Sequence, residues 1–400
     1  MSFRYPKGGF ITAFYDPLQV PNAPTSVSAT AGDAQATVTF TAPANVGGSA
    51  ITGYVAQSVP GGISATGASS PITVTGLTNG TAYTINVAAI NSYGPGPYGT
   101  SGSVSPIATR GVFAGGLSRN VIDYVEIATT GNATDFGDLI SGSTYYTGAT
   151  GSTTRGVWAG GQSNSNVIQY ITFATTGNAT DFGDINTGGR SEISGCGSAT
   201  RGLFGGGWNG STALANINYI TIATTGNSTT FGSLSIARSK TGSCSSPTRG
   251  VWGGGYEGVG GTLYNVIDYV TIDTTGNATD FGDLTVEREN LAGCSSSTRG
   301  LFIQGVTTGN VRTNIIDYIT IASTGNAIDF GDVNYGATAV AACSSNTRGL
   351  SAGGLNTSGS VVNNISYVTI ASLGNATDFG DMTTTSYIFS ACSNGSGGVQ

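Results

Sequence analysis

Residues 129–139 read TTGNATDFGDL, and this stretch returns five times down the chain. The later copies are TTGNATDFGDI (175–185), TTGNSTTFGSL (224–234), TTGNATDFGDL (274–284), STGNAIDFGDV (323–333) and SLGNATDFGDM (372–382). A Thr-Arg-Gly block precedes each copy, with its arginine at Arg110, Arg155, Arg201, Arg249, Arg299 and Arg348. The steps between these arginines are 45, 46, 48, 50 and 49 residues. Self-similarity at such a period marks a repeat architecture, so the repeat governs how every motif inside it is read.

Two motifs within the stretch invite a chemical reading. Asp-Phe-Gly has the residues of the metal-holding triplet of protein kinases, and Asn-Ala-Thr is an N-glycosylation acceptor pattern. A catalytic triplet is not needed six times at a fixed period, and the third copy replaces both acids with Thr230 and Ser233. Glycosylation of Asn132 and its equivalents requires a secretory route, for which no signal is seen. Calcium held by these carboxylates would need a spacing that matches no standard loop. The architectural reading makes Thr-Gly-Asn a tight turn, with Gly and Asn supplying positive φ, and lays one Phe per repeat into the core while short acids close turns.

Composition narrows the fold class. Gly is 65 of 400 residues, charged residues are 9% and hydrophobic residues 38%. Low charge argues against a disordered polyelectrolyte, and the absence of a three-residue Gly period excludes collagen, which leaves a turn-rich all-β chain. The net charge of −7, without a basic patch, predicts no nucleic-acid partner. No 18-residue apolar run predicts a membrane span, and Phe3-Arg4-Tyr5-Pro6-Lys7 is not followed by a signal-like apolar segment, so synthesis in a cytoplasm is expected. Histidine is absent, which removes the commonest general base and metal ligand. No catalytic residue, metal or cofactor is predicted.

Each repeat divides into four strand-like pieces, a to d. In the fifth these are 291–295, 299–303 ending at Gly305, the β-branched 315–321, and 327–332. Four strands per ~50 residues, repeated, is a propeller signature. The first copy enters at strand b (109–113), and residues 389–393 match strand a. The C-terminal strand is therefore expected to complete the first blade and close the ring, leaving no free sheet edge. The repeats resemble those of kelch-type propellers. Strand b ends in Gly-Gly at Gly115-Gly116, Gly160-Gly161, Gly206-Gly207, Gly254-Gly255 and Gly353-Gly354. Strand c carries a tyrosine at Tyr124, Tyr170, Tyr219, Tyr269, Tyr318 and Tyr367. The Phe of Asp-Phe-Gly stands where that family has a later Trp, and the fifth copy has Gln304-Gly305. The resemblance implies a six-bladed kelch-like propeller over 108–400.

The five cysteines, Cys196, Cys244, Cys294, Cys343 and Cys392, each precede the Arg or its equivalent by five residues, and Thr150 holds that place in the remaining a strand. Small thiols fitting a crowded axis are expected; a soft-metal ring is disfavoured because symmetry spreads the sulfurs apart.

Residues 20–107 resemble a fibronectin type III sandwich. The signals are Pro21-Asn22-Ala23-Pro24, the alternation over Ala36–Phe40, Leu77-Thr78-Asn79-Gly80-Thr81-Ala82-Tyr83 with Tyr83 as the tyrosine corner, and the turn at Asn91–Pro97. Phe40 stands where that family usually has Trp. The preceding residues 1–19 carry Phe3, Tyr5, Phe10, Phe14 and Tyr15, too many aromatics for so short a segment to bury, and are read as an arm docking on another subunit.

Arm, sandwich and repeat domain together resemble the layout of tailed-bacteriophage virion proteins, particularly cyanophage ones. That resemblance implies a non-enzymatic, multi-copy structural protein on an exposed virion surface or tail. Residues 1–19 would then bind other virion proteins and the propeller would face outward for host attachment. A bacterial extracellular adhesin or an interaction adaptor is the alternative, and a propeller enzyme is disfavoured because the arginines recur once per blade instead of clustering. From the end of strand b to the Ile of strand c the intervals are 6, 7, 10, 12, 11 and 11, whereas from that Ile to the next Arg equivalent they stay at 32 or 33. Length variation thus falls in the b–c loops, where binding tends to live on a rigid scaffold. Trp208, Asn209, Tyr256, Glu257 and Tyr264 in these loops suit stacking on a host-surface glycan; packing among the loops is the competing role.

Overall fold

The computed structural model describes residues 19–140, 145–258, 260–395 and 397–398. The arm aromatics Phe3, Tyr5, Phe10, Phe14 and Tyr15 lie outside the described residues. The chain forms two compact units, the first ending at Ala108 and the second beginning at Thr109.

The first unit has eight strands: β1 (Thr25–Gly32), β2 (Gln35–Thr41), β3 (Gly53–Val59), β4 (Ser64–Gly67), β5 (Ile72–Thr75), β6 (Thr84–Asn91), β7 (Gly94–Pro95) and β8 (Gly99–Thr100). One sheet runs β1-β2-β5; the other runs β4-β3-β6, with β7 and β8 on β6. Alternate residues point inward, as a strand's two-residue period requires, so Ala36, Val38 and Phe40 share one core with Tyr54, Ala56, Ile85 and Val87. Phe40 packs its ring 4.7 Å from that of Tyr54. The Tyr83 hydroxyl accepts the N–H of Thr78 at 3.1 Å, which fixes the corner leading into β6.

The second unit contains six four-stranded antiparallel sheets. Sheet 4 is representative, with strand a at Gly242–Ser245, b at Arg249–Gly253, c at Val266–Thr271 and d at Thr279–Asp283. In sheet 1 strand a comes from the far end of the chain: Ser390–Ser393 pairs with Arg110–Ala114 in the register Ser390↔Ala114 to Ser393↔Gly111. The strand bounds fall within a residue of those read from the repeat.

Sheets are joined by one pattern used six times. Strand c buries residues on both faces, so each sheet must be covered on both sides. The Phe of Asp-Phe-Gly is buried in every copy and meets the strand-c tyrosine edge-on at 5.8–6.1 Å. The Arg of Thr-Arg-Gly stacks on that same tyrosine at 4.5–4.9 Å. Its guanidinium then donates to a main-chain carbonyl of the next sheet: Arg201 to Ile272, Arg249 to Ile321, Arg299 to Ile370. Arg348 on sheet 6 donates to Ile127 and Ala128 on sheet 1, so the series of contacts returns to its start.

The opening motif is the second joint. The asparagine of each Thr-Gly-Asn loop accepts, through Oδ1, the N–H at the end of strand d on the preceding sheet, at 2.9–3.2 Å: Asn178 from Asp138, Asn227 from Asp184, Asn277 from Ser233, and onward to Asn132 from Asp381. The loop glycine donates to the carbonyl of the preceding sheet's Phe, as Gly177 does to Phe136. A Cβ on Gly137 would come within 2.5 Å of the Gly177 carbonyl oxygen, so the glycine of Asp-Phe-Gly is required by close approach. One expectation is corrected: none of these six asparagines has positive φ. They act through side-chain acceptors, because the exposed strand-d N–H needs a partner that backbone pairing does not supply.

The cysteines form a third joint. All five are free, buried thiols. A Cβ on Gly250 would lie 2.9 Å from Cys196 Sγ, on Gly300 2.5 Å from Cys244 Sγ, and on Gly349 2.9 Å from Cys294 Sγ. Each thiol thus fills the space left by the Arg-Gly glycine of the next sheet, and Thr150 does the same against Gly202. Burial pushes the thiols of Cys196 and Cys294 up to about 12. Gly300→Ala should therefore destabilise the unit by about 1–3 kcal/mol through overpacking, and Cys244→Ala in the same chain should recover most of that loss. Thermal unfolding of the single and double variants checks the coupling; equal loss in both would break the assignment.

Candidate functional site

The a strands of all six sheets line one cavity of about 110 Å³, open at the end where strand a begins. The d–a loops that form its mouth are anchored from beneath by three buried arginines absent from the sequence reading. Arg288 donates to Asp317 Oδ2 at 2.9 Å and Arg238 to Asp268 Oδ2 at 3.1 Å, with side chains fully buried in both pairs. Arg190 meets Asn218 at the equivalent place and donates also to the carbonyls of Gly206 and Asn216. With no carboxylate beside it, burial lowers its pKa to about 10. Sheet 1 has the converse arrangement: Asp123 is buried and accepts from the N–H and hydroxyl of Thr383. Burial raises the Asp123 pKa, against the opposing pull of the Thr383 bonds.

Two residues beyond each arginine position the chain turns left-handed. Tyr146, Glu192, Lys240, Asn290, Ala339 and Ile388 have φ of 61°, 57°, 56°, 52°, 58° and 61°. Each lies four residues before the cysteine or Thr150. Lys240, Asn290, Ala339, Ile388 and Tyr146 donate their N–H groups to the carbonyl of the equivalent residue on the preceding sheet, at 2.9–3.0 Å. The result is a rim of six side chains, all different, around the cavity mouth.

The rim carries a mixed-charge cluster. Lys240 Nζ lies 3.3 Å from Glu289 Oε2 and 4.0 Å from Glu192 Oε1, each side chain being 16% exposed. Ser239 donates to Glu192 Oε2 at 2.7 Å, and the Lys240 ammonium sits 4.7 Å from the ring centre of Tyr256. Desolvation raises the Glu289 pKa despite Lys240, and burial followed by the charges of Glu192 and Glu289 raises that of Tyr146. Asn290 and Tyr146 also line the cavity.

The b–c loops stand just outside this rim. Trp208 bridges to Ser191 and Tyr256 to Ser239, each beside a rim residue. Tyr256 is therefore brought to the site. Trp208 is half-buried against the neighbouring loop, where a Cβ on Gly258 would run into its ring. Asn209 organises its own loop, its Oδ1 accepting from the N–H groups of Ser211 and Thr212 at 2.9 Å. Glu257 is exposed, and Tyr264 is half-buried. Glu192, Lys240, Glu289, Asn290 and Tyr146 were missed by sequence reasoning. Aligning the repeats on cysteine would have found the rim, because the fourth residue before it differs in every copy.

Residues 22–105 match the fibronectin type III domain. Such domains are typically non-catalytic binding or structural modules. No curated protein matches the chain. Among the described residues no group of three or more Cys, Asp or Glu side chains is placed to hold a metal ion.

Asp317→Ala should cost about 3–5 kcal/mol because it leaves Arg288 charged and buried, whereas Asp317→Asn, which copies the Arg190–Asn218 solution, should cost clearly less. Denaturant titration of both checks the order. The raised pKa of Asp123 means the folded chain binds this proton more readily than the unfolded one. Its contribution to stability therefore grows as pH falls from neutrality through the folded pKa. Asp123→Asn should flatten that part of a melting-temperature profile; an unchanged slope would remove Asp123 as its source.

Proposed function

We propose that residues 109–400 form a six-bladed, kelch-like propeller and that the chain is a non-enzymatic virion structural protein of a tailed phage. It occurs in multiple copies, docks on other virion proteins through residues 1–19 and displays the propeller outward to adhere to host-surface glycans. The observation that carries the adhesive reading is the coincidence of three features at one end of the six sheets. The loops of variable length, the aromatics Trp208 and Tyr256, and the charged cluster on the rim all gather there. The opposite joints, by contrast, repeat with little change from sheet to sheet. Variable chemistry on an invariant scaffold is how binding surfaces are built. The layout of arm, sandwich and repeats supports the virion assignment.

The full chain should bind intact host cells saturably, and soluble glycan should compete. The Trp208→Ala/Tyr256→Ala variant should lose most of this binding with its fold intact by circular dichroism. A variant that binds as well as the parent chain would overturn the loop-face reading.

A further inference from the structure

We propose that the cavity mouth is itself a ligand site, taking the terminal residue of an uncharged glycan end-on, as a single neutral pyranose. This rests on the adhesive reading above but assigns the contact to residues outside the b–c loops.

The first support is the backbone. In a chain with 65 glycines, none of the six left-handed rim positions is glycine. A non-glycine residue at φ near 60° is uncommon, and a β-branched one such as Ile388 is an outlier. Such strain persists where the side chain is needed, and the six side chains are all different although the repeats around them are nearly identical.

The second support is chemistry. Glu192, Lys240 and Asn290 occupy one side of the rim, with Glu289 paired to Lys240 beside it, and Ala339 and Ile388 the other. A pyranose has the same division, with hydroxyls at its edge and an apolar C–H face. The Asn290 amide and Tyr146 hydroxyl, both on residues lining the cavity, can exchange hydrogen bonds with it. Two carboxylates face one ammonium, so an acidic sugar would enter against excess negative charge.

Depth sets the mode of entry. At the far end of the a strands the Gly397 N–H donates to the Ser295 carbonyl at 2.9 Å and Gly398 lies against Gly197. These two residues narrow that end. The cavity volume of about 110 Å³ compares with the ~150 Å³ that holds a benzene ring. One inserted ring edge fills it.

The test is isothermal titration and saturation-transfer NMR of the full chain with methyl glucoside, galactoside, mannoside and N-acetylglucosaminide. N-acetylneuraminic and glucuronic acids serve as anionic comparisons. At least one neutral glycoside should bind saturably in the millimolar range and the acids more weakly. Asn290→Gly, which keeps the left-handed backbone and removes the amide, and Tyr146→Phe should each weaken binding by about tenfold at an unchanged melting temperature. Preferential binding of the acids would overturn the proposal. So would full retention of neutral binding in both rim variants while Trp208→Ala/Tyr256→Ala loses it, and that result would leave the loop-face reading standing. Failure of every monosaccharide to bind would also overturn the rim site, and the cell-binding experiment would then judge the loop face alone.

Discussion

A four-stranded sheet with apolar side chains on both faces cannot stand in water by itself. Everything else in residues 109–400 follows from that constraint. Each sheet covers a neighbour and is covered by another, so the same interface has to serve every junction. The repeated motifs are that interface. The arginine stacks on its own sheet's tyrosine and reaches the next sheet's carbonyl. The asparagine caps the strand end of the sheet before it. Neither residue would have a purpose in an isolated sheet.

Glycine sets how closely the sheets approach. Asp-Phe-Gly and Arg-Gly each place a glycine where a Cβ would collide with the adjoining sheet, in one case with backbone and in the other with a thiol. The cysteines are explained by the same geometry. Their burial against the Arg-Gly glycines makes them packing groups. A chain so rich in glycine can still be rigid, because much of that glycine lies at contacts and not in linkers.

The rim breaks this economy. The d–a loops are tied down from below by buried arginines, in two sheets with aspartate and in one with asparagine. Above these anchors the backbone adopts the same left-handed turn six times, yet carries a different side chain each time. Anchoring a strained loop over a buried arginine is a costly way to hold a surface loop, and it keeps Glu192, Lys240 and Glu289 within reach of one another.

The sequence by itself determined the strands, their grouping in fours and the pairing of residues 390–393 with 110–114. These depend on local alternation and a fixed period, which a one-dimensional string records directly. It also determined the sandwich at the N-terminal side, through Tyr83 and the alternation around Phe40. It exposed the b–c loops as the variable segments, but the contacts that Asn209 and Trp208 make there belong to the tertiary structure, since loop packing is invisible in spacing. It gave the asparagines a backbone role when they have a side-chain one. Only the tertiary structure decided which residues form the cavity mouth. Glu192, Lys240 and Asn290 are about fifty residues apart along the chain and adjacent in space, and no local pattern brings them together. Their proximity comes from the contacts between sheets, which place equivalent positions side by side and turn six scattered differences into one surface.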